Sequence, residues 1–136
     1  VTNGDVEVDR VIVAADTGEV IHPDALEAQL ESGVIYGLTA ALYGEITIDQ
    51  GAVVESNFPQ YEMVRLATAP DIVTILAPTA GAPLGGAGEI GTPPIAPALT
   101  NAIFQATGER VRDLPVRKNG IRPIARRRDR KSEGVA

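Results

Sequence analysis

A short glycine-rich segment holds the carboxylate that is best placed for chemistry. Residues 84–95 read Leu-Gly-Gly-Ala-Gly-Glu-Ile-Gly-Thr-Pro-Pro-Ile, so that Glu89 stands among four glycines. Glycine permits backbone angles and close approaches that a side chain blocks. Such a loop can press its main chain against a ligand and hold one acid in a fixed place. A plain turn before a helix is the alternative, and one short motif does not decide between the two.

Several other chemistries are excluded by residue type. No Gly-Lys-Ser/Thr follows the glycines, and Glu89 would repel a phosphate, so a phosphate-binding loop is disfavoured. The chain has no cysteine, which excludes disulfides, thiolate zinc sites and a cysteine nucleophile. His22 is the only histidine, so no multi-histidine metal site can form within this chain. We expect His22 to start a helix, and Asp16 to hydrogen-bond its own Asp-Thr-Gly turn without a catalytic role.

The helices and strands that would position this loop belong to a chain whose length and composition are those of a globular domain. Its 136 residues allow at most one domain, and 44% of them are apolar. No apolar run is long enough to span a membrane, and the charged stretch at residues 5–10 lacks the pattern of a signal peptide.

The charge is divided unevenly along the chain. Residues 1–109 carry a net charge of −13 and residues 110–136 a net charge of +7. The basic end contains no aromatic residue that could stack on bases. We therefore expect residues 117–136 to be a basic, disordered tail, and we expect no nucleic-acid partner.

The first helix is predicted to begin at Pro23 and to be buried from Val34 onward, where it becomes apolar almost all round. Its large apolar residues recur every four positions: Leu26, Leu30, Val34, Leu38 and Leu42. Gly33, Gly37 and Ala41 form a second ridge of small residues. Two helix glycines cost about 1 kcal/mol each relative to alanine, so another backbone or a ligand should lie close to this ridge; the pattern leaves both possibilities open.

The remaining pattern predicts an α+β fold with a mixed sheet layered against two main helices. Strands are expected at residues 6–16, 72–76 and 111–116, and a hairpin at residues 45–56. The second helix is predicted to be capped by Thr92, to have Pro93 at its first position and to end at Gly108.

Six segments, taken together and in order, resemble one enzyme family. They are Asp-Thr-Gly-Glu-Val-Ile-His-Pro-Asp (16–24), Gln-Leu-Glu-Ser-Gly (29–33), Gly-Leu-Thr-Ala-Ala-Leu-Tyr-Gly-Glu-Ile (37–46), Ser-Asn-Phe (56–58), Gly-Gly-Ala-Gly-Glu (85–89) and Thr-Pro-Pro-Ile-Ala-Pro-Ala (92–98). They resemble the molybdenum-binding subunit of the xanthine dehydrogenase and aldehyde oxidase family, and most nearly its isoquinoline 1-oxidoreductase beta-subunit branch. The likeness extends over residues 6–116, and residues 1–116 are expected to be the C-terminal part of a molybdopterin-binding domain.

The resemblance implies roles for individual residues. Glu89 matches the family's catalytic glutamate, a general base that activates an oxygen derived from water for attack on an electron-poor carbon. Gln29 matches the glutamine that hydrogen-bonds the pterin, and the backbone of Gly86, Ala87 and Gly88 is expected near the molybdenum site. The small-residue ridge would then face a cofactor.

The resemblance also implies what else the site needs. The cofactor would be molybdopterin, in the cytosine dinucleotide form usual in bacteria, and iron–sulfur clusters on a partner subunit would carry electrons away. Substrates would be N-heterocycles or aldehydes, and family members occur in the cytoplasm or the periplasm. A family subunit is several times longer than this chain, so activity is expected only with the rest of the subunit. The alternative is a non-catalytic fragment or protein-interaction domain that keeps the fold.

Overall fold

The computed structural model describes residues 4–123, which form two helices and six short strands. In chain order these are β1 (Asp5–Val6), β2 (Arg10–Ala15), α1 (Pro23–Leu42), β3 (Ile48–Asp49), β4 (Ala52–Val53), β5 (Asp71–Leu76), α2 (Ile95–Thr107) and β6 (Arg122–Pro123), with 3₁₀ turns at Phe58–Gln60 and Val116–Asn119. The predicted α+β class is confirmed. Within the described residues the strands form three separate pairs rather than one mixed sheet.

The pair β2–β5 is parallel and runs in register from Arg10 opposite Asp71 to Ala15 opposite Leu76. Residues alternate between the two faces, as expected for strands. The inner face, which includes Val11, Val13 and Ile72, packs against the hydrophobic core. The predicted strand at 72–76 is confirmed, whereas the one expected at 6–16 divides into β1 and β2.

Helix α1 begins where the sequence predicts. His22 is its N-cap, with the imidazole Nδ1 accepting a hydrogen bond of 3.1 Å from the Ala25 N–H, and Pro23 is its first residue. The predicted apolar stripe is buried along its whole length: Leu26, Leu30, Val34, Leu38 and Leu42. No helix among residues 4–123 is long and apolar enough to cross a membrane.

The small-residue ridge of α1 contacts protein backbone. A Cβ added at Gly33 would lie 3.1 Å from the Gly91 Cα, and one added at Gly37 would lie 2.7 Å from the Thr92 carbonyl oxygen. The ridge therefore accommodates the end of the glycine-rich loop and the start of α2. The expectation of a close backbone is confirmed at Gly33 and Gly37, and the expectation that a cofactor lies against this helix stays a prediction.

Helix α2 starts two residues later than predicted, at Ile95. The Thr92 hydroxyl donates a hydrogen bond of 3.2 Å to the Gly33 carbonyl and does not cap the helix. The Thr92 hydroxyl thus makes a tertiary contact with α1 in place of the predicted local cap of α2. The predicted end at Gly108 is confirmed, since this glycine has a left-handed φ of 78°.

The C-terminal end differs from the prediction in two ways. Residues 111–116 form no strand, because Val111 and Val116 are both buried rather than alternating, and Pro115 has no N–H for a ladder. Residues 117–123, assigned to the tail, instead pack on the fold. Lys118 Nζ lies 2.7 Å from the Glu45 carboxylate, and β6 pairs with β1 in parallel. The rest of the predicted tail, residues 124–136, lies outside the described residues.

Candidate functional site

The glycine-rich loop connects β5 to α2 and has both of its ends attached to other elements. At its start, the Thr79 backbone N–H donates a hydrogen bond of 3.2 Å to the Asp16 carboxylate at the end of β2. At its end, the Thr92 side chain reaches the Gly33 carbonyl on α1. Glu89 therefore lies in a segment supported by both the strand pair and the first helix.

Gln29 and the loop come together in the structure. The Gln29 side-chain Nε2 donates a hydrogen bond of 2.5 Å to the Gly88 carbonyl oxygen. The two residues are 59 positions apart in the sequence, and Gly88 immediately precedes Glu89. The residue expected to bind the pterin thus lies beside those expected to lie near the metal.

The loop leaves open space beside its backbone. A Cβ added at Gly86 or Gly88 would meet no atom within 4 Å. Within residues 4–123, no group accepts a hydrogen bond from the backbone N–H of Gly86, Ala87 or Gly88. Backbone donors in such a position are available to water or to a ligand.

Glu89 is exposed, and its backbone carbonyl accepts a hydrogen bond of 2.9 Å from the Thr92 N–H. The burial expected around a tuned general base is not provided by residues 4–123. The described residues hold the backbone of Glu89 in place and leave its side chain exposed to solvent.

The Asp-Thr-Gly turn at residues 16–18 contacts the start of the glycine-rich loop. Asp16 Oδ1 accepts a hydrogen bond of 2.9 Å from the Gly18 N–H, which confirms the predicted local turn. The same carboxylate also binds Thr79, and this hydroxyl contact is the main cause that lowers the pKa of Asp16 below its ordinary value. The turn motif was visible in the sequence, whereas its partner 63 positions away was not.

The remaining polar and aromatic residues considered for the site have structural contacts or point to solvent. His22 caps α1, and residues 4–123 contain no group of three or more His, Cys, Asp or Glu side chains that could hold a metal ion. Tyr36 on α1 is 75% exposed. Phe104 is partly buried and stacks under the Arg110 guanidinium, whose Cζ lies 3.6 Å from the ring centroid.

Comparisons with known proteins identify the family of this chain. The family described as the molybdopterin cofactor-binding domain matches residues 1–70. The beta subunit of isoquinoline 1-oxidoreductase from Brevundimonas diminuta is 40% identical over 110 residues, covering 81% of this chain and 14% of that protein. A membrane-bound aldehyde dehydrogenase from Gluconacetobacter polyoxogenes, named for pyrroloquinoline quinone, is 35% identical over 116 residues, covering 85% of this chain and 15% of that protein.

A solved structure shares the fold. Quinoline 2-oxidoreductase from Pseudomonas putida 86 superposes with a TM-score of 0.73 and 21% sequence identity, covering 81% of this chain and 15% of that chain. The chain thus spans only 14–15% of the length of these relatives. Molybdenum-binding subunits of aldehyde oxidoreductase and xanthine dehydrogenase are also among its relatives. The chain belongs to the molybdopterin cofactor-binding domain family, and it corresponds to a segment of the molybdenum-binding subunits of the xanthine dehydrogenase and aldehyde oxidase enzymes.

Proposed function

We propose that this chain forms one wall of the active site of a molybdenum hydroxylase, in which Glu89 is the general base. The observation that carries the proposal is the hydrogen bond from Gln29 to Gly88, which joins the pterin-binding candidate to the residue before Glu89. Substrates would be N-heterocycles or aldehydes, and water would supply the oxygen. The isoquinoline and aldehyde names of two relatives support these substrate classes.

The residues present fit a molybdopterin. Gly86 and Gly88 border open space, so a flat ligand could approach the main chain there without meeting a side chain. Gln29 uses one amide N–H for the Gly88 carbonyl, which leaves its second N–H and its oxygen for a pterin edge. When bound, this group would supply the metal centre that accepts electrons from the substrate. We propose the cytosine dinucleotide form, with iron–sulfur clusters on a partner subunit as the next electron acceptors.

Glu89 would remove the proton from the oxygen that attacks the substrate carbon. A base must lie within hydrogen-bond reach of that oxygen, about 2.6–3.2 Å, and the attached loop keeps its backbone in one place for this purpose. Because Glu89 is exposed in residues 4–123, the rest of the subunit would have to enclose it and exclude water. The segment is therefore inactive alone in this proposal.

The test replaces Glu89 by Gln in the complete enzyme that contains this segment. Positioned acid–base groups contribute roughly 10²–10⁴-fold to rate. Turnover should therefore fall by at least about 10²-fold, while molybdenum and pterin content stay unchanged. Glu31→Gln is the matched control, since Glu31 is an exposed carboxylate on α1. Normal turnover in the Glu89 variant would refute its role as general base. A purified complete enzyme that contains a quinone and no molybdenum would refute the proposed cofactor.

A second function is favoured by a separate observation. The outer face of β2–β5 is apolar and exposed, with Ile12 64% and Ile75 48% accessible. Parallel strands are normally covered on both faces, so this face suits contact with further polypeptide. A non-catalytic interaction domain would use this face and bind no cofactor. Native mass spectrometry with metal analysis separates the two functions, because only the enzyme segment co-purifies with molybdenum.

A further inference from the structure

Asp16 joins the ends of the two parallel strands. Register places Ala15 opposite Leu76 as the last pair, so the residues after both strands leave the sheet side by side. The Asp16 carboxylate accepts hydrogen bonds from the Gly18 N–H at 2.9 Å, from the Thr79 N–H at 3.2 Å and from the Thr79 hydroxyl. One carboxylate thus holds its own turn and the start of the glycine-rich loop together.

Two further contacts extend this attachment along the loop. The Gly85 N–H donates a hydrogen bond of 2.8 Å to the Thr17 carbonyl. Gly18 lies so close to the loop that an added Cβ would be 2.0 Å from the Pro83 carbonyl oxygen. Thr17 and Gly18 are both buried. The loop is therefore held against the turn until one residue before Gly86, where the open space begins.

The opposite side of the loop is held by α1. Gln29 binds the Gly88 carbonyl, and an added Cβ at Gly91 would lie 2.9 Å from the Leu30 carbonyl oxygen. Glu89 stands between these two contacts. Its backbone position thus depends on α1 from one direction and on the Asp16 turn from the other.

The geometry points to Asp16 as a positioning residue: we propose that its carboxylate, through Thr79, fixes the loop so that Glu89 reaches the attacking oxygen. This inference rests on the proposed role of Glu89. A carboxylate suits the task because it accepts all three hydrogen bonds at once, and hydrogen bonds to ionised groups are about twice as strong as neutral ones. Asparagine would keep the shape and lose the charge and one acceptor atom.

The experiment compares carboxylate replacements at the two ends of one strand pair in the complete enzyme. Asp16→Asn loosens the loop end. Asp71→Asn is the matched control, because Asp71 bridges the same strands at the other end through a 2.8 Å ion pair with Arg10. Thr79→Ala and Thr79→Ser form a second pair, of which only the serine variant keeps the hydroxyl.

A displacement of about 1 Å at a reacting group can cost roughly 10²-fold in rate. We therefore expect Asp16→Asn and Thr79→Ala to lower kcat by about 10- to 100-fold, with KM and molybdenum content near normal. Amide exchange in residues 77–91 should become faster in both. Thr79→Ser should restore kcat, and Asp71→Asn should leave it unchanged.

Two results would overturn the inference: normal kcat in both Asp16→Asn and Thr79→Ala while Glu89→Gln is inactive, or equal losses of kcat in Asp16→Asn and Asp71→Asn. Failure of the proposed function has a different signature, since Glu89→Gln would then be active. Thr79→Ala and Thr79→Ser decide the question if Asp16→Asn does not fold, because serine rescue separates the hydroxyl contact from general destabilisation.

Discussion

The side-chain amide of Gln29 donates a 2.5 Å hydrogen bond to the carbonyl oxygen of Gly88. The contact joins the second turn of α1 to the residue that precedes Glu89. Both groups are exposed, so this bond competes with water. Its contribution is therefore to the position of the loop more than to the overall stability of the fold.

Gln29→Ala should mobilise the loop around Gly88. A typical intramolecular hydrogen bond contributes about 0.5–1.5 kcal/mol net, so the variant should unfold at nearly the same temperature. Hydrogen exchange of the Thr92 N–H, which donates to the Glu89 carbonyl, should be faster, and molybdopterin retention in the complete enzyme should fall. Gln105→Ala is the control, an exposed glutamine on α2. Unchanged exchange of the Thr92 N–H would contradict this role of Gln29.

Gly18→Ala should be far more destabilising than Gly81→Ala. Both glycines have left-handed φ angles, 72° and 76°, so both variants incur the backbone strain of roughly 1–2 kcal/mol. Only at Gly18 does the new Cβ overlap the Pro83 carbonyl, whereas nothing lies within 4 Å of the Gly81 position. Thermal unfolding of both variants measures the difference, and equal losses would show that the Gly18–Pro83 contact is not needed.

Gly37→Ala should destabilise the fold although alanine favours helix by about 1 kcal/mol. The new methyl would lie 2.7 Å from the Thr92 carbonyl and 2.9 Å from the Ile95 Cβ. Overpacking of this kind costs about 1–3 kcal/mol. Ser32→Ala, at an exposed position on the same helix, should instead be neutral or stabilising. A more stable Gly37→Ala would mean that α2 can move away from α1.

Glu45 should make the packing of residues 117–123 on the fold sensitive to acid. The hydrogen bond from the Lys118 ammonium, assisted by Arg117, lowers the pKa of Glu45 below its ordinary value. A lowered pKa in the folded state means stability that is present above the unfolded-state value of 4.5 and lost as pH falls through the folded value.

Glu45→Gln should therefore unfold at a lower temperature than the unmodified protein at neutral pH. The difference should shrink as the solution is acidified below the ordinary carboxyl value, and also in high salt, which screens exposed pairs. Melting curves over a pH series provide the measurement, with Glu31→Gln as the control. A difference that is constant with pH would indicate that the ion pair with Lys118 contributes nothing.

Local patterns predicted the helices well. The four-residue leucine spacing gave α1, Pro23 its start and Gly108 the end of α2, because these signals lie within a few residues of the element they define. The Thr92 cap was wrong for a complementary reason. Its hydroxyl is taken by the Gly33 carbonyl, 59 residues away, and no local pattern contains that partner.

The features of the candidate site also fall into two groups: those that local sequence shows and those that depend on distant contacts. The glycines around Glu89 are visible as a motif, and the resemblance assigned Gln29. The support from Asp16 to Thr79 depends on the parallel pairing of β2 with β5, a non-local contact that residue periodicity does not encode. The packing of residues 117–123 was likewise hidden, since a run of basic residues looks solvated until Glu45 is placed beside it.

The strand pair β2–β5 has a practical consequence for handling this segment. Each of its strands has one edge without a partner among residues 4–123, and its outer face exposes Ile12 and Ile75. Open edges with apolar faces are templates for aggregation. Production of the segment by itself therefore favours self-association at high concentration, and charged substitutions at these two isoleucines would improve its solubility without touching the glycine-rich loop.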